Sequence, residues 1–222
     1  MKFTRQLLSI GFALLVSTVL ASAIPGRAEV KKVIGSATVT KAAGGSASIT
    51  EGMVLGTGDT ITTGRASFVD LYLGLNGDFL RVDADTTLKL DVLDIANIAE
   101  RTVTTQLSLG KGGITGNVVT KLTAASKYEI KSTTGVAGIR GTTYQMRFDG
   151  TLIVASGRVN FTFVLNGVTK TVSVAANEQF KPGDAAPTPA PPAAVAMINQ
   201  VAAIITQYAQ LGVNLTGLVG VT

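Results

Sequence analysis

The chain has 222 residues, 46% hydrophobic and 15% charged, with a net charge of +5 and no His, Cys or Trp. Without Cys there is no disulfide, thiolate zinc site or cysteine nucleophile. Without His the commonest general base and metal ligand is missing and Ser-His-Asp chemistry is excluded, while carboxylate-pair and lysine mechanisms remain open.

The N-terminus has the layout of an export signal. Lys2 and Arg5 form a basic start, Leu7 to Leu20 is apolar, and Ala21-Ser22-Ala23 supplies small residues for cleavage. A later cut after Ala28 meets the same requirement through Gly26 and Ala28. The apolar stretch falls below the roughly 18 residues that a membrane span needs, so residues 1–28 are expected to be a signal peptide. The absence of Cys says only that no disulfide is used in the destination compartment. Removing residues 1–28 takes away Lys2, Arg5 and Arg27, leaving 16 basic against 14 acidic residues, a net +2. Lys31-Lys32 is the only adjacent basic pair, so the chain carries no electrostatic footprint for nucleic acid.

Residues 29–181 read as one β domain rich in Val, Ile, Thr, Leu and Gly. Glu51 to Gly64 (EGMVLGTGDTITTG) interrupts alternating Met53, Leu55 and Ile61 with four glycines, the mark of a tight turn feeding a strand. The strand that follows, Ala66 to Leu75, runs into Asn76-Gly77, and further Asx-Gly pairs stand at Asp149-Gly150 and Asn166-Gly167. Each is expected to close a two-residue type I′ hairpin. Val92 to Arg101 has apolar residues at helical spacing but equally continues the strand pattern from Leu90, so a short helix and a strand or loop both remain open.

Alternation predicts the buried faces: Val159, Phe161 and Phe163 against Arg158, Asn160 and Thr162; Tyr144, Met146 and Phe148 against Gln145 and Arg147; and Val168, Val172 and Val174 on the returning strand, with Lys170 as an edge exception. The expected fold is all-β: an antiparallel β-sandwich or flattened β-roll, or a short β-solenoid, about one core in size. Pro182 to Pro192 is expected to be an extended Pro-rich linker. Residues 193–222 form an uncharged tail in which Met197, Val201, Ile204, Ile205 and Tyr208 fall at helical spacing opposite Gln200, Gln207 and Gln210. Asn199 and Gln200 interrupt the run too early for a membrane helix, and the lack of Lys and Arg speaks against anionic lipid. The tail is expected to pack on the sheet or on a second copy.

The order of motifs resembles the FecR domain family. It begins at Gly52, Leu55, Gly58-Asp59, Ile61 and Thr63-Gly64, and continues through Asn76-Gly77 and Thr86-Thr87-Leu88-Lys89-Leu90. Leu107 to Val118, Tyr128 to Met146 and Ala155 to Val159 complete a similarity spanning roughly Val33 to Phe180. The resemblance implies a bacterial extracytoplasmic module of the kind found in periplasmic sensors of ferric-citrate uptake. Those sensors carry a cytosolic anti-sigma segment ahead of a membrane span and a further receptor-contacting domain. This chain shows a signal, a Pro-rich linker and a short tail in their places, so transmembrane signalling is not carried over.

Asp59, after Gly58, caps its turn in preference to presenting a carboxylate to a ligand. Arg140-Gly141-Thr142 can hold an anion, but an internal ion pair with Asp59 or Glu129 is the commoner use of such an arginine. Asp83 and Asp85 share a strand face that could take calcium with Asp91 or Asp94, yet no EF-hand or glycine-rich calcium loop is present. Tyr72, Tyr128 and Tyr144 are expected in core or edge packing. No catalytic residue, metal site or cofactor is expected, and Gly58, Asp59, Arg140, Gly141 and Thr142 are the candidate structural or interaction motif. The functional expectation is a non-catalytic exported module, periplasmic or extracellular, that binds a protein or a cell-envelope component. The alternatives are a carboxylate-dependent envelope polysaccharide-active enzyme and a structural protein that self-associates through its tail.

Overall fold

The computed structural model describes residues 23–119 and 122–210. They form two sheets and one helix. Sheet A contains β1 (Ile24–Pro25), β3 (Ala37–Thr40), β4 (Ser46–Ser48), β6 (Thr60–Thr63), β9 (Thr87–Asn97), β10 (Thr102–Lys111), β12 (Lys127–Lys131), β13 (Gly135–Ile139), β16 (Arg158–Leu165) and β17 (Val168–Ala175). Sheet B contains β2 (Ala28–Ile34), β5 (Val54–Leu55), β7 (Phe68–Gly74), β8 (Asp78–Val82), β11 (Gly113–Asn117), β14 (Thr143–Arg147), β15 (Leu152–Ser156), β18 (Glu178–Phe180) and β19 (Thr188–Pro189).

The chain lays down β7–β8, β9–β10, β12–β13, β14–β15 and β16–β17 as successive pairs that change sheets, so both sheets grow in the same direction. Their orders are β17-β16-β13-β12-β10-β9-β6-β3-β4 and β19-β18-β15-β14-β11-β8-β7-β2-β5, with β1 added on β9. All pairs are antiparallel except β10 with β12, which the β11 crossover through the other sheet makes parallel. The expected antiparallel-rich sandwich is therefore the fold, and the two sheets stay open.

The inner faces supply the core. Val39, Ile61, Leu88, Leu107 and Ile130 from sheet A meet Val30, Leu71, Leu80, Ile114 and Met146 from sheet B, all fully buried. Phe161, Phe163 and Phe180 close the C-terminal end with ring centroids 5.4 to 6.3 Å apart. The predicted alternation holds for Val159, Phe161 and Phe163, and for Tyr144 and Met146. It fails at Val168, which is 58% exposed. β17 is the outermost strand of sheet A, and its first residues lie where sheet B no longer covers them.

Other local expectations are also revised. Val92 to Asn97 continues strand β9, its apolar residues realigned by an irregularity in the β9–β10 register, and a turn follows at residues 98–101; there is no helix. Cross-strand pairing along the whole of β10 outweighs a weak helical spacing. Asn166-Gly167 is the expected type I′ turn, with φ of 53° and 78°. Asp149-Gly150 closes a longer turn in which only Gly150 takes positive φ and the Asp149 carboxylate accepts the Thr151 N–H at 3.0 Å.

Asn76 does something different again. The positive φ values sit at Gly74, Gly77 and Asp78, and the Asn76 side chain turns inward. Its amide donates to the carbonyls of Asp94 (3.0 Å) and Thr104 (3.2 Å) and to the Thr105 hydroxyl (3.2 Å), while that hydroxyl donates back to the Asn76 carbonyl at 2.6 Å. The tip of a sheet B hairpin is thereby tied into β9 and β10 of sheet A.

The Pro-rich segment runs along sheet B. β19 pairs with β18, and the Ala190 N–H donates to the Asn177 carbonyl at 2.8 Å. Helix α1 (Pro192–Gln210) then crosses the outer side of sheet B over β15, β14, β11 and β8. Its buried stripe is Ile198, Ala202 and Ile205, with Val201 partly buried, over the Tyr72–Phe79 ring pair. Met197, expected inside, is 60% exposed, because the docked stripe is rotated by about one residue from the one the spacing marked. Residues 211–222 of the expected tail and most of the expected signal lie outside the described residues.

Candidate interaction site

The two outer faces of the sandwich differ. On sheet B, the Asp70 carboxylate accepts a two-pronged bond from Arg81 at 2.6 and 2.7 Å, and the guanidinium lies 4.0 Å from the centre of the Phe68 ring. Next to it, burial pushes the Asp83 carboxyl up to about 6, against the opposing pull of Arg81, Thr115 and Arg147. Helix α1 lies over this row, leaving a cleft of about 320 Å³ lined by Arg81, Asp83, Thr115 and Gln145 on the sheet and by Met197, Ile198 and Val201 on the helix. This face is occupied by the chain itself.

Sheet A carries no helix on its outer side among the described residues. The registers align one residue from each strand into a continuous rung: Ser46, Thr40, Thr60, Lys89, Ser108, Lys131, Val136, Thr162 and Thr171. Eight strand spacings make it roughly 38 Å long. Neighbouring hydroxyls pair along it, Thr40 with Ser46 at 3.1 Å and Thr162 with Thr171 at 2.9 Å, and the Ser108 hydroxyl binds the Asp91 carboxylate. A second row runs Gln106, Glu129, Gly138, Asn160 and Ser173. Charges on this face are few and mostly matched, as in Lys127–Glu129 at 3.0 Å and Lys89–Asp91 at 3.5 Å. The surface is polar and rich in hydroxyls.

The sequence-predicted residues fall at two separate places. Gly58 holds φ of +88°, and its N–H donates to the Leu90 carbonyl at 2.6 Å. The buried Asp59 carboxylate accepts from the amides of Ala42 and Gly56, each at 3.0 Å, and from Lys41 Nζ at 2.8 Å. Burial raises its pKa, but Lys41 and the two amides outweigh it and hold the group below the ordinary Asp value. Asp59 is committed to its turn.

Arg140 is exposed and donates through Nη2 to the Thr123 carbonyl at 2.5 Å. The expected ion pair with Asp59 or Glu129 is not formed: Asp59 is taken by Lys41, and Glu129 by Lys127 and Gln106. Arg140 instead borders a surface cleft of about 210 Å³, with Lys127, Glu129 and Asn160, at the margin of the sheet A outer face. Gly141 takes φ of +62°, and the buried Thr142 hydroxyl donates to the Arg158 carbonyl at 3.1 Å, which fixes the β13–β14 crossover.

Asp83 and Asp85 do not share a strand face. They lie in the turn after β8, Asp83 half-buried on the α1 side and Asp85 exposed with φ of +52°, whereas Asp91 and Asp94 belong to β9 in the other sheet. Among the described residues no group of three or more His, Cys, Asp or Glu could hold a metal ion. Tyr128 and Tyr144 are buried with their hydroxyls 3.4 Å apart, and burial drives both pKa values upward, Tyr128 to about 12. Residue-by-residue reading missed the rung, because it exists only once the registers are known. It also missed Asn76, whose Asn-Gly context marked a turn and hid the clamp.

Among the described residues no helix is long and apolar enough to cross a membrane. Comparison with curated proteins finds no match. Two crystal structures of a candidate anti-sigma factor from Parabacteroides distasonis ATCC 8503, at 2.50 and 1.65 Å resolution, are similar in part. Both are 10% identical over 58% of this chain, with TM-scores of 0.44 and 0.42, and the match spans 57% of their own length. Residues 59–160, from the Gly58-Asp59 turn to strand β16, match the family described as FecR protein.

Proposed function

We propose that this chain is a non-catalytic, exported FecR-type module that takes part in signal regulation by docking a protein partner on the outer face of sheet A. The observation that carries the reading is the inequality of the two outer faces: α1 covers β15, β14, β11 and β8 of sheet B, whereas among the described residues no helix lies on sheet A. The FecR match over residues 59–160 supports a regulatory module, and that segment supplies the central strands of the bare face. A hydrolase reading needs two acids converging across a cleft. The acids named by the sequence separate instead into a turn cap (Asp59), a helix-covered site (Asp83) and the β9 strand (Asp91, Asp94).

A second reading, a linear envelope polymer as the occupant, is favoured by the roughly 38 Å rung, six of whose nine residues carry hydroxyls that offer donors and acceptors. The same variants test both. Thr162→Arg with Gln106→Arg places two unpaired charges on the bare face, and Gln200→Arg places one on the outer side of α1. Capture of a protein from envelope extracts that is lost with the first pair and kept with the second supports the first reading. Retention on insoluble envelope polysaccharide with the same pattern supports the second. Loss through Gln200→Arg alone contradicts both.

A further inference from the structure

The boundary between export signal and folded domain can be placed from the sheet. The sequence offers two cuts that satisfy the small-residue rule, after Ala23 (with Ala21) and after Ala28 (with Gly26). The fold treats the intervening residues as its own. Ile24 and Pro25 form β1 and stand opposite Ile95 and Asp94. The Gly26 N–H donates to the Leu93 carbonyl at 2.6 Å. A Cβ at position 26 would collide with the Asn76 carboxamide, so glycine there lets the strand pass over the clamp that joins the two sheets. Ala28 is fully buried and faces Leu55, which is fully buried too. Ala23, by contrast, is exposed.

We infer that export processing hydrolyses the Ala23–Ile24 bond, so that residues 24–28 are structural residues of the mature protein. Water adds across that peptide bond, leaving a carboxylate on Ala23 and an amine on Ile24. A cut at Ala28–Glu29 would remove β1, uncover the Asn76 clamp and place a charged amine beside the buried Leu55. Tolerance of truncation follows the burial and hydrogen bonding of the backbone removed, and Gly26 and Ala28 are both buried and paired, with the exposed Arg27 between them. Ala23 also lies three residues beyond the apolar run that ends at Leu20, whereas Ala28 closes into the core once β2 has paired with β5 and β7. The mature chain then keeps Arg27 and carries 17 basic against 14 acidic residues, a net +3.

The inference rests on the export half of the proposed function, and one experiment separates the two. The full chain is expressed with its own leader in a Gram-negative host, and the product is characterised by N-terminal sequencing and intact mass. The expected start is Ile-Pro-Gly-Arg-Ala. A product starting at Glu29, or anywhere beyond Ile24, overturns the inference and leaves export standing. A product that keeps Met1 overturns both. Ala23→Asp, which blocks the proposed site without touching the folded domain, is expected to leave most of the protein as uncleaved precursor. A normal yield of product starting at Glu29 with an unchanged melting temperature would refute the structural role of residues 24–28.

Discussion

Asp83→Asn isolates one buried charge. The carboxyl titrates near 6 in the folded chain against 3.8 when unfolded, because burial between sheet B and α1 outweighs the attraction of Arg81 and Arg147. A folded value above the unfolded one means that the native state binds the extra proton. The associated stabilisation is complete below about pH 4 and is lost as pH rises through 6. A shift of about two units at 1.36 kcal/mol each makes the swing about 3 kcal/mol. Asparagine keeps the shape and a hydrogen-bonding oxygen for Thr115 but cannot ionise. The variant should match the parent near pH 4 and exceed it by up to about 3 kcal/mol at pH 7.5, which for a chain of this size is roughly 6–12 °C in Tm. Thermal melts followed by far-UV circular dichroism at half-unit steps from pH 4 to 8 measure the difference. Parallel curves for the two proteins would refute the placement of a desolvated Asp83 beneath α1.

Asn76→Ala removes a buried amide that makes three hydrogen bonds and leaves two backbone carbonyls without it; a loss of about 3 kcal/mol in urea unfolding is expected, where a loss within 0.5 kcal/mol would deny the inter-sheet clamp. Asp59→Ala should cost about 2 kcal/mol at pH 7 by freeing the amides of Ala42 and Gly56 and the Lys41 ammonium. Its folded pKa lies below the unfolded one, so this contribution is present above about pH 4 and fades as pH falls further; the variant's deficit should shrink in acid melts. Arg140→Ala, exposed and held by one carbonyl, should change stability by less than about 1 kcal/mol while weakening partner capture, and the reverse pattern would restore a structural role to Arg140. Ending the chain at Lys181 uncovers Tyr72 and Phe79 and should raise binding of a hydrophobic dye; unchanged dye fluorescence would deny that α1 is docked.

Much of the fold is legible in the sequence because its causes are local. Val159, Phe161 and Phe163 alternate with polar neighbours since one face of β16 is buried, and Asn166-Gly167 makes its turn since both residues must take positive φ. Where the cause is distant, the sequence is silent. Val168 reads as core but is exposed because sheet B ends before it, and Val92 to Asn97 becomes a strand because β10 pairs with it. The candidate site follows the same division. Asp59 as a turn cap needs only its Gly-Asp context, although the amide of Ala42 that it also binds lies 17 residues earlier. Arg140 was expected to find a carboxylate, and both candidates are claimed by lysines closer to them. The hydroxyl rung depends on eight registers at once, and no single strand announces it.

Hydroxyl-radical footprinting of the protein, free and bound to its captured partner, tests the central claim that the outer face of sheet A, which carries no helix among the described residues, is the docking surface. Met197, exposed on α1, reports the sealed side, and Val136 and Val164, on the outer side of sheet A, report the open one. The account predicts that binding protects peptides containing Val136 and Val164 and leaves oxidation of Met197 unchanged. Protection of Met197 with both valines as reactive as in the free protein would contradict it.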